Sequence, residues 1–235
     1  MIRLSLVIPC FNEAASLPAL IARCEEAFRG REAEVILVDN GSTDGSPRVL
    51  AERLRPASNI RAIRVEQNQG YGFGILSGLR AASGHVLAWT HADLQTDPGD
   101  ALRGMQRFEA SADPARLFVK GGRYGRPWAD VFFTVGMSAF ETMLLGARLW
   151  DINAQPTLFP ASFFATWIDP PHDFSLDLYA YYQARRLGYA VDRFPVRFDK
   201  RLHGQSRWNV DYRAKLRFIR RTVDYSLRLR KTMRH

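Results

Sequence analysis

Short apolar runs alternate with amphipathic stretches over the first half of the chain. The runs are typical of buried strands and lie at 4–9, 34–39, 60–65, 85–90 and 117–121. The amphipathic stretches between them predict helices near 16–28, 46–54, 72–82 and 98–110. This alternation predicts βαβ units, and hence an α/β fold in which helices flank a mostly parallel sheet.

The pattern loosens after residue 123 into an aromatic-rich stretch with no clear period. Its most apolar part, residues 131–145, is interrupted by polar side chains that include Glu141, so we expect no membrane-spanning helix there. A helix near 174–187 and a strand near 190–198 follow.

Two of the predicted strands end in loops that carry acidic residues. The strand at 34–39 runs into Asp39-Asn40-Gly-Ser-Thr-Asp-Gly, and the strand at 85–90 runs into His91-Ala-Asp93-Leu-Gln. Ligands of open α/β sheets bind at that end of the strands, and two such loops suit a nucleotide held through its base, ribose and metal-bound diphosphate. The first loop is also ordinary turn chemistry, so a solvated turn is the alternative interpretation.

Composition limits the class of protein. The chain has 235 residues, 46% of them hydrophobic, which is enough for one substantial core. The N-terminus lacks the charged and apolar regions of a signal peptide, so we expect a cytoplasmic protein. Two cysteines, Cys10 and Cys24, are too few for a disulfide framework and are expected to be reduced core residues.

The net charge of +9 is concentrated at the C-terminal end. Residues 205–235 carry ten Lys or Arg and two Asp, a net charge of +8. Helical periodicity places one apolar face there, made of Tyr212, Leu216, Ile219, Val223 and Leu227. This basic amphipathic helix is expected either to bind an anionic membrane surface or to pack on the domain with a solvated basic face. No nucleic-acid module accompanies the charge, so nucleic acid is not an expected partner.

Five motifs occur in the order seen in family 2 glycosyltransferases of the GT-A fold. They are Val7-Ile-Pro-Cys-Phe-Asn-Glu13, Val38-Asp-Asn-Gly-Ser-Thr-Asp-Gly45, Asn68-Gln-Gly-Tyr-Gly72, Ala92-Asp-Leu-Gln95 and Arg201-Leu-His-Gly-Gln-Ser206. Within that family the chain most resembles the dolichol-phosphate and polyprenyl-phosphate hexose synthases. The resemblance implies a GT-A domain over residues 1–208, followed by a basic helical extension over 209–235.

The resemblance implies a donor site around the first two loops. Pro9, Asn12, Glu13 and Asp39 are expected to frame the nucleotide base and ribose, where a carboxylate can accept two hydrogen bonds. Asn40 stands where the family commonly has a second acidic residue.

Further donor contacts are implied by the later motifs. Gly70 and Gly72 belong to a glycine-rich loop that would let backbone approach the donor. Ala92 is also expected to contact the donor. The segment 70–78 also half-matches a dinucleotide fingerprint, but its spacing and its place after the third strand fit that fingerprint poorly.

The His91-to-Gln95 segment resembles the family's Asp-x-Asp metal motif, with His91 in place of the first aspartate. Asp93 is expected to be the principal ligand of a divalent cation, Mn2+ or Mg2+, and Gln95 to add a neutral oxygen. An imidazole ligand would favour Mn2+ over Mg2+; in the alternative, His91 binds the nucleotide and leaves the metal alone.

The acceptor side has several candidate residues. The resemblance places Arg123 and Arg201 near an acceptor phosphate, with Ser206 shaping the loop, and Lys120 is a further basic candidate. Asp177 matches an acidic position of the lipid-phosphate synthases. Asp173 is the candidate base for a hydroxyl acceptor, and either aspartate can instead cap the helix near residue 174.

The expected reaction is inverting transfer of a hexose from a nucleotide-sugar to a polyprenyl phosphate at the cytoplasmic membrane face. One alternative is transfer to a hydroxyl of a surface polysaccharide or a lipid-linked oligosaccharide. A second alternative, motivated by Asn40 and His91, is a non-catalytic nucleotide-sugar-binding protein.

Overall fold

A seven-stranded mixed sheet forms the centre of the protein. The structure is a computed structural model that describes residues 2–55, 58–199, 201 and 212–232. The strands are β1 (Leu4–Cys10), β2 (Ala33–Asn40), β3 (Ile60–Val65), β4 (Val86–Trp89), β5 (Leu117–Tyr124), β6 (Thr157–Pro160) and β7 (Ala190–Arg197). Their order is β3-β2-β1-β4-β6-β5-β7. Only β6 runs antiparallel to its neighbours, β4 and β5, so the prediction of a mostly parallel sheet is confirmed for the described residues.

Eight α-helices connect or cover these strands within the described residues. They are α1 (Leu17–Phe28), α2 (Ser46–Arg53), α3 (Tyr71–Ala81), α4 (Asp100–Ala110), α5 (Trp128–Leu145), α6 (Ala161–Phe164), α7 (Leu176–Arg186) and α8 (Tyr212–Thr232). A short 3-10 turn, Pro114–Arg116, precedes β5. No helix in the described part of the chain is long and apolar enough to cross a membrane.

Alternating strand residues build one apolar core on each face of the sheet. On one face, Leu6 and Leu37 pack with residues of α1, α2 and α4. On the other face, Val7 and Ile36 pack with residues of α3, α6 and α7. The two cysteines are buried and free, as predicted. Because β1, β2, β3 and β4 run in the same direction, the loops that follow their carboxyl ends lie together at one edge of the sheet.

The second half contains elements that the periodicity did not predict. The aromatic-rich stretch forms α5, an eighteen-residue helix, and the four-residue strand β6. The periodicity of α5 is obscured because its solvent-facing positions are apolar, with Trp128 and Phe132 exposed, while the polar Ser138 and Glu141 are buried. β6 is too short for a period to be read, and it pairs antiparallel within a parallel sheet.

The C-terminal helix α8 packs on the domain through a face beside the predicted one. Ser226 and Leu229 are buried, and the Ser226 hydroxyl donates to Glu141 of α5 at 2.7 Å. Leu227, which belongs to the predicted apolar face, is 44% exposed. The predicted boundary at residue 208 lies outside the described residues and stays a prediction.

Candidate functional site

The predicted acidic loops lie at neighbouring positions along one edge of the sheet. β1 is paired on one side with β2 and on the other with β4, all three parallel, so the loops that follow them leave the sheet at the same edge. Asp39 is the partner of Cys10 in the β1–β2 register. Asp93 follows the end of β4 by four residues. The two carboxylates therefore flank the end of β1, as the strand-end motifs predicted.

Asp39 is 3% exposed, and its contacts hold the carboxylate in a fixed orientation. Its Oδ1 accepts a hydrogen bond from the backbone N–H of Ser42 at 2.9 Å. Its Oδ2 faces the Arg64 guanidinium, 3.9 Å from Nε. A carboxylate has about four lone-pair sites, so this arrangement leaves acceptor capacity for ribose or base donors.

Asn40 has a contact that an aspartate could not make in its charged form. Its Nδ2 donates to the backbone carbonyl of Gly70 at 2.9 Å, which ties the end of β2 to the start of α3. Its Oδ1 is buried and has no hydrogen-bond partner within the described part of the chain. The amide at position 40 thus replaces a second charge with a link between two loops.

The loop after β1 is hydrogen-bonded to the loop after β2 by side chains on both loops. Oδ1 of Asn12 accepts from the N–H of Thr43 at 2.8 Å, and the N–H of Glu13 donates to Ser46 Oγ at 2.9 Å. Asp44 accepts from Ala14 N–H at 3.1 Å. These bonds fix the two loops against each other, so Asn12 and Glu13 have a structural role beside the predicted contact with base and ribose.

Gly70 and Gly72 allow another backbone segment to approach α3. A Cβ at Gly70 would lie 2.3 Å from the carbonyl oxygen of His172, and one at Gly72 would lie 2.5 Å from that of Pro171. The N–H of Phe73 donates to the same His172 carbonyl at 3.0 Å. The space beside these glycines, which the sequence assigned to a donor, is therefore filled by the backbone of residues 171–173.

Pro9 and Ala92 lie against the interior. A Cβ at Gly74 would be 3.3 Å from Cβ of Pro9. Ala92 is 5% exposed and belongs to the core on the α1 and α4 side. A donor contact at Ala92 would therefore involve its backbone.

Asp93 is paired with Arg201 in this structure. Nη2 of Arg201 lies 2.8 Å from Oδ2 of Asp93, and the N–H of Gln95 donates to Oδ1 at 3.1 Å. The Gln95 side chain accepts from Arg201 Nε at 3.4 Å. Two predicted residues with opposite roles, the metal ligand Asp93 and the acceptor-binding Arg201, thus meet at one point.

The donor set at Asp93 fits a cation that takes most of its ligands from a bound diphosphate. Asp93 offers one carboxylate, and Gln95 and His91 lie nearby in sequence. Mg2+ in phosphate sites is commonly held by one or two carboxylates plus phosphate oxygens. Within the described residues, no three His, Cys, Asp or Glu side chains are grouped to hold a metal ion by themselves.

His91 begins an aromatic stack that the sequence did not reveal. The ring of Tyr71 lies 5.4 Å from His91 and 4.4 Å from Phe174, stacked on both. Phe174 follows Asp173, whose Oδ1 accepts from the N–H of Ser175 at the start of α7. The stack connects the β4 loop to the α7 loop, and the only sequence signal for it was Tyr71 between two glycines.

A buried polar cluster lies close to the stack. Nζ of Lys120 donates to Oγ1 of Thr157 at 2.6 Å and lies 3.9 Å from Oδ1 of Asp177. Gln155 donates to the same carboxylate oxygen at 2.6 Å. Burial lowers the pKa of Lys120 to about 7 and raises the pKa of Asp177 above its ordinary value. Lys120 is 0% exposed and its ammonium contacts these protein groups, so its predicted role in binding an acceptor phosphate stays a prediction.

The remaining acceptor-side candidates have protein partners. Nε of Arg123 donates to Oδ1 of Asp151 at 3.0 Å, and Arg126 lies 3.8 Å from the same oxygen. These guanidiniums hold the pKa of Asp151 below its ordinary range despite burial. Asp173 pairs with Arg221 of α8 at 3.3 Å. Ser206 lies outside the described residues, so its role stays a prediction.

Known relatives share part of this sequence. An undecaprenyl-phosphate 4-deoxy-4-formamido-L-arabinose transferase from Klebsiella pneumoniae (strain 342) is 33% identical over 114 residues, which cover 47% of this chain and 35% of the relative. The enzyme of that name from Pectobacterium carotovorum subsp. carotovorum (strain PC1) is 41% identical over 102 residues, covering 42% of this chain and 31% of the relative. The matches thus span about a third of the length of these curated relatives.

Solved structures share the fold. Glucosyl-3-phosphoglycerate synthase from Mycobacterium tuberculosis, with Mn2+, UDP and glucosyl-3-phosphoglycerate, superposes with a TM-score of 0.71 at 18% identity, over 97% of this chain and 79% of the other. A mannosyltransferase from Pyrobaculum calidifontis, with GDP-Man and Mn2+, gives a TM-score of 0.65 at 19% identity, over 87% and 58%.

The family follows from the sequence match and the architecture together. Residues 5–167 match the family described as Glycosyl transferase family 2, which is more than half of the chain. The matched range contains β1 from its second residue, β2 to β6 and both acidic loops. The chain therefore belongs to glycosyl transferase family 2 and has the GT-A fold.

Proposed function

We propose that this protein is an inverting glycosyltransferase that moves a hexose from a nucleotide-sugar to a polyprenyl phosphate. The observation that carries the proposal is the position of Asp39 and Asp93, two buried carboxylates that flank the end of β1. The names of the curated relatives, which are undecaprenyl-phosphate sugar transferases, support the acceptor class.

On the donor side, Asp39 would accept hydrogen bonds from the ribose or the base. Its carboxylate is oriented by Ser42 before any ligand binds, so little ordering is needed on binding. Asn12 accepts from Thr43 N–H and Glu13 N–H donates to Ser46, and these two hydrogen bonds keep the walls of this site together.

On the leaving-group side, Asp93, with Gln95 and His91, would hold a divalent cation together with the donor diphosphate. The cation would neutralise the charge that develops on the departing diphosphate. Arg201 neutralises Asp93 in the structure described here, and a bound cation would release its guanidinium for the acceptor phosphate.

On the acceptor side, a phosphate needs no general base. Its second pKa is about 6, so the attacking oxygen is already anionic near pH 7. Asp177 is 1% exposed and bonded to Gln155, a position suited to holding structure rather than to taking a proton from an acceptor. Catalysis would then consist mainly of alignment and stabilisation of the leaving group.

The location follows from the acceptor. A polyprenyl chain resides in a bilayer, so the protein would work at the cytoplasmic membrane face, with the predicted basic extension over residues 209–235 near anionic lipid.

The direct test is transfer of sugar into the organic phase from a panel of nucleotide-sugars, with undecaprenyl phosphate and Mn2+. We expect product with the wild type and a loss of at least about a hundredfold in Asp93→Ala. Asp113→Ala, an exposed carboxylate far from the strand-end loops in sequence, is the control and should keep full activity. Donor binding without transfer to any acceptor would favour the non-catalytic alternative.

Transfer to a sugar hydroxyl is the second candidate, because Asp173 is a partly exposed carboxylate beside the aromatic stack. Under this alternative Asp173→Asn would abolish turnover with donor affinity intact. Under the phosphate mechanism the same variant would lose activity only in proportion to its effect on α7.

A further inference from the structure

The outer face of α5 is apolar along its whole length. Exposed side chains of this helix recur at the spacing of one helical face and include no charged or hydroxyl group: Trp128, Ala129, Phe132, Val135, Gly136, Ala139, Phe140 and Met143. Trp128 and Met143 are each 83% exposed, and Phe132 is 76% exposed. At 1.5 Å per residue, this apolar face extends for about 22 Å.

The polar residues of α5 point the other way. Glu141 and Ser138 are buried, and Glu141 receives the hydroxyl of Ser226 from α8. Scattered exposed apolar residues are normal, but a continuous stripe with the acidic group turned inward is typical of a surface that is covered in use.

The helix beside this face carries cations. α8 packs on α5, and its exposed side chains between residues 219 and 231 include an excess of basic over acidic groups: Arg220, Arg221, Arg228, Arg230 and Lys231 against Asp224. An apolar face that includes a tryptophan and lies next to a basic helix is complementary to a bilayer with anionic headgroups.

We propose that the outer face of α5 is the membrane-docking surface, and that it lies in the headgroup and acyl boundary of an anionic bilayer. The predicted apolar face of α8 is not part of this docking surface. α8 packs on the domain through Ser226 and Leu229, and it contributes the cations that lie beside the α5 face. This proposal rests on the proposed function in one respect: the polyprenyl acceptor is the reason for the protein to bind a membrane.

A second copy of the chain fits this face less well. A two-fold contact through α5 would bring two α8 helices, each with the cation excess, to one interface. Like charges at close range repel, whereas phospholipid phosphates attract them.

The docking face also adjoins the candidate site. Phe174, in the stack with Tyr71 and His91, is 42% exposed, and the Arg221 guanidinium of α8 lies 6.0 Å from its ring centre. A bilayer on α5 and α8 would thus lie near the loop that carries Asp173.

The test is flotation of the full chain with vesicles of neutral phosphatidylcholine and with vesicles containing about one third phosphatidylglycerol. We expect the wild type to float with the anionic vesicles. The triple variant Trp128→Ser, Phe132→Ser, Met143→Ser should bind at least about tenfold more weakly. Ile168→Ser, an equally exposed apolar residue outside α5, and Leu227→Ser, on the predicted α8 stripe, should float as the wild type does.

Several results would overturn the proposal. They are flotation of the triple variant at the wild-type level, loss of flotation in Leu227→Ser alone, or no flotation of the wild type. A dimer in sedimentation that the triple variant abolishes, without vesicle binding, would assign the face to a second copy. Thermal shift with UDP and with GDP, each with Mn2+, distinguishes this failure from failure of the proposed function, since it reads the donor site with no membrane present.

Discussion

The strand-end loops and the α5–α8 region treat polar groups in opposite ways. At the strand ends, Asp39 and Asn40 are buried, and each is hydrogen-bonded to a backbone group. They therefore place polar side chains at the carboxyl edge of the sheet. In the α5–α8 region Glu141 points inward while Trp128 and Phe132 face solvent. The comparison indicates that the first region is built to hold a polar ligand and the second to be covered by an apolar partner.

The largest effect is expected at the buried polar cluster of Lys120, Thr157, Gln155 and Asp177. Lys120→Met leaves the Asp177 carboxylate buried without its cation, which should lower the free energy of unfolding by about 3–5 kcal/mol. The double variant Lys120→Met, Asp177→Leu should recover most of that loss. Urea denaturation measures both.

A matched surface pair serves as the control for that cluster. Arg107 and Asp192 are 3.8 Å apart and both partly exposed, so Arg107→Met should cost less than about 1 kcal/mol. Equal losses in the two single variants would contradict the buried pair. The pH dependence adds a check: with a folded pKa of about 7 against 10.5, Lys120 makes stability rise between those values, and Lys120→Met should lack this rise.

The next effect concerns the inward-facing acid of α5. Burial raises the pKa of Glu141 from 4.5 to about 7, so the folded protein retains a proton that the unfolded chain releases, and stability falls as the pH rises through this window. Glu141→Gln should therefore be more stable than the wild type by about 2–3 kcal/mol at pH 8 and equal to it near pH 4. Thermal unfolding across pH measures the difference.

The control for Glu141 is Glu52→Gln, an exposed residue of an ion pair in α2, which should show no such pH dependence. A destabilised Glu141→Gln at pH 8 would mean that the charged acid is needed between α5 and α8, and the contrast between the two regions would be lost.

A smaller effect is expected for restoring the second acid at the strand ends. Asn40→Asp loses the donor to the Gly70 carbonyl and places a charge in a buried position, which should cost about 2 kcal/mol. Asn68→Asp is the matched control, because Asn68 uses its oxygen to accept from Gly70 N–H and is exposed, so it should change stability by less than about 0.5 kcal/mol. A stabilised Asn40→Asp would show that position 40 is an acidic site after all.

The last contrast is one of sign and uses one glycine from each region. Gly72→Ala would press a methyl group on backbone oxygens of residues 171–173 and should cost about 1–3 kcal/mol. Gly136→Ala, on the open outer face of α5, meets nothing within 4 Å and should stabilise by about 0.5–1 kcal/mol through helix propensity. Opposite signs in chemical denaturation are expected, and a shared sign would refute the packing difference.

Much of the first region could be predicted from sequence because its signals are local. An apolar run that ends in an acid identifies both a strand and its edge, and Asp39 and Asp93 were found in this way. The partner of Asn40 could not be found, because it depends on the contact between β2 and the start of α3. The role of Gly72 depends on a segment about a hundred residues away.

The second region resisted prediction for a different physical reason. Periodicity predicts a core-packed helix when its apolar face is buried and its polar face exposed, whereas α5 exposes apolar side chains and buries Ser138 and Glu141. Likewise, Arg123 was a predicted acceptor-side residue, but its ion pair with Asp151 depends on how β5 meets the loop before β6.

The central claim, that the edge bearing Asp39 and Asp93 binds the donor nucleotide, is tested most directly by calorimetric titration of UDP and GDP with Mn2+. One of these should bind the wild type, with affinity at least about tenfold weaker in both Asp39→Ala and Asp93→Ala and unchanged in the exposed control Asp113→Ala. Unchanged affinity in both strand-end variants would contradict the account.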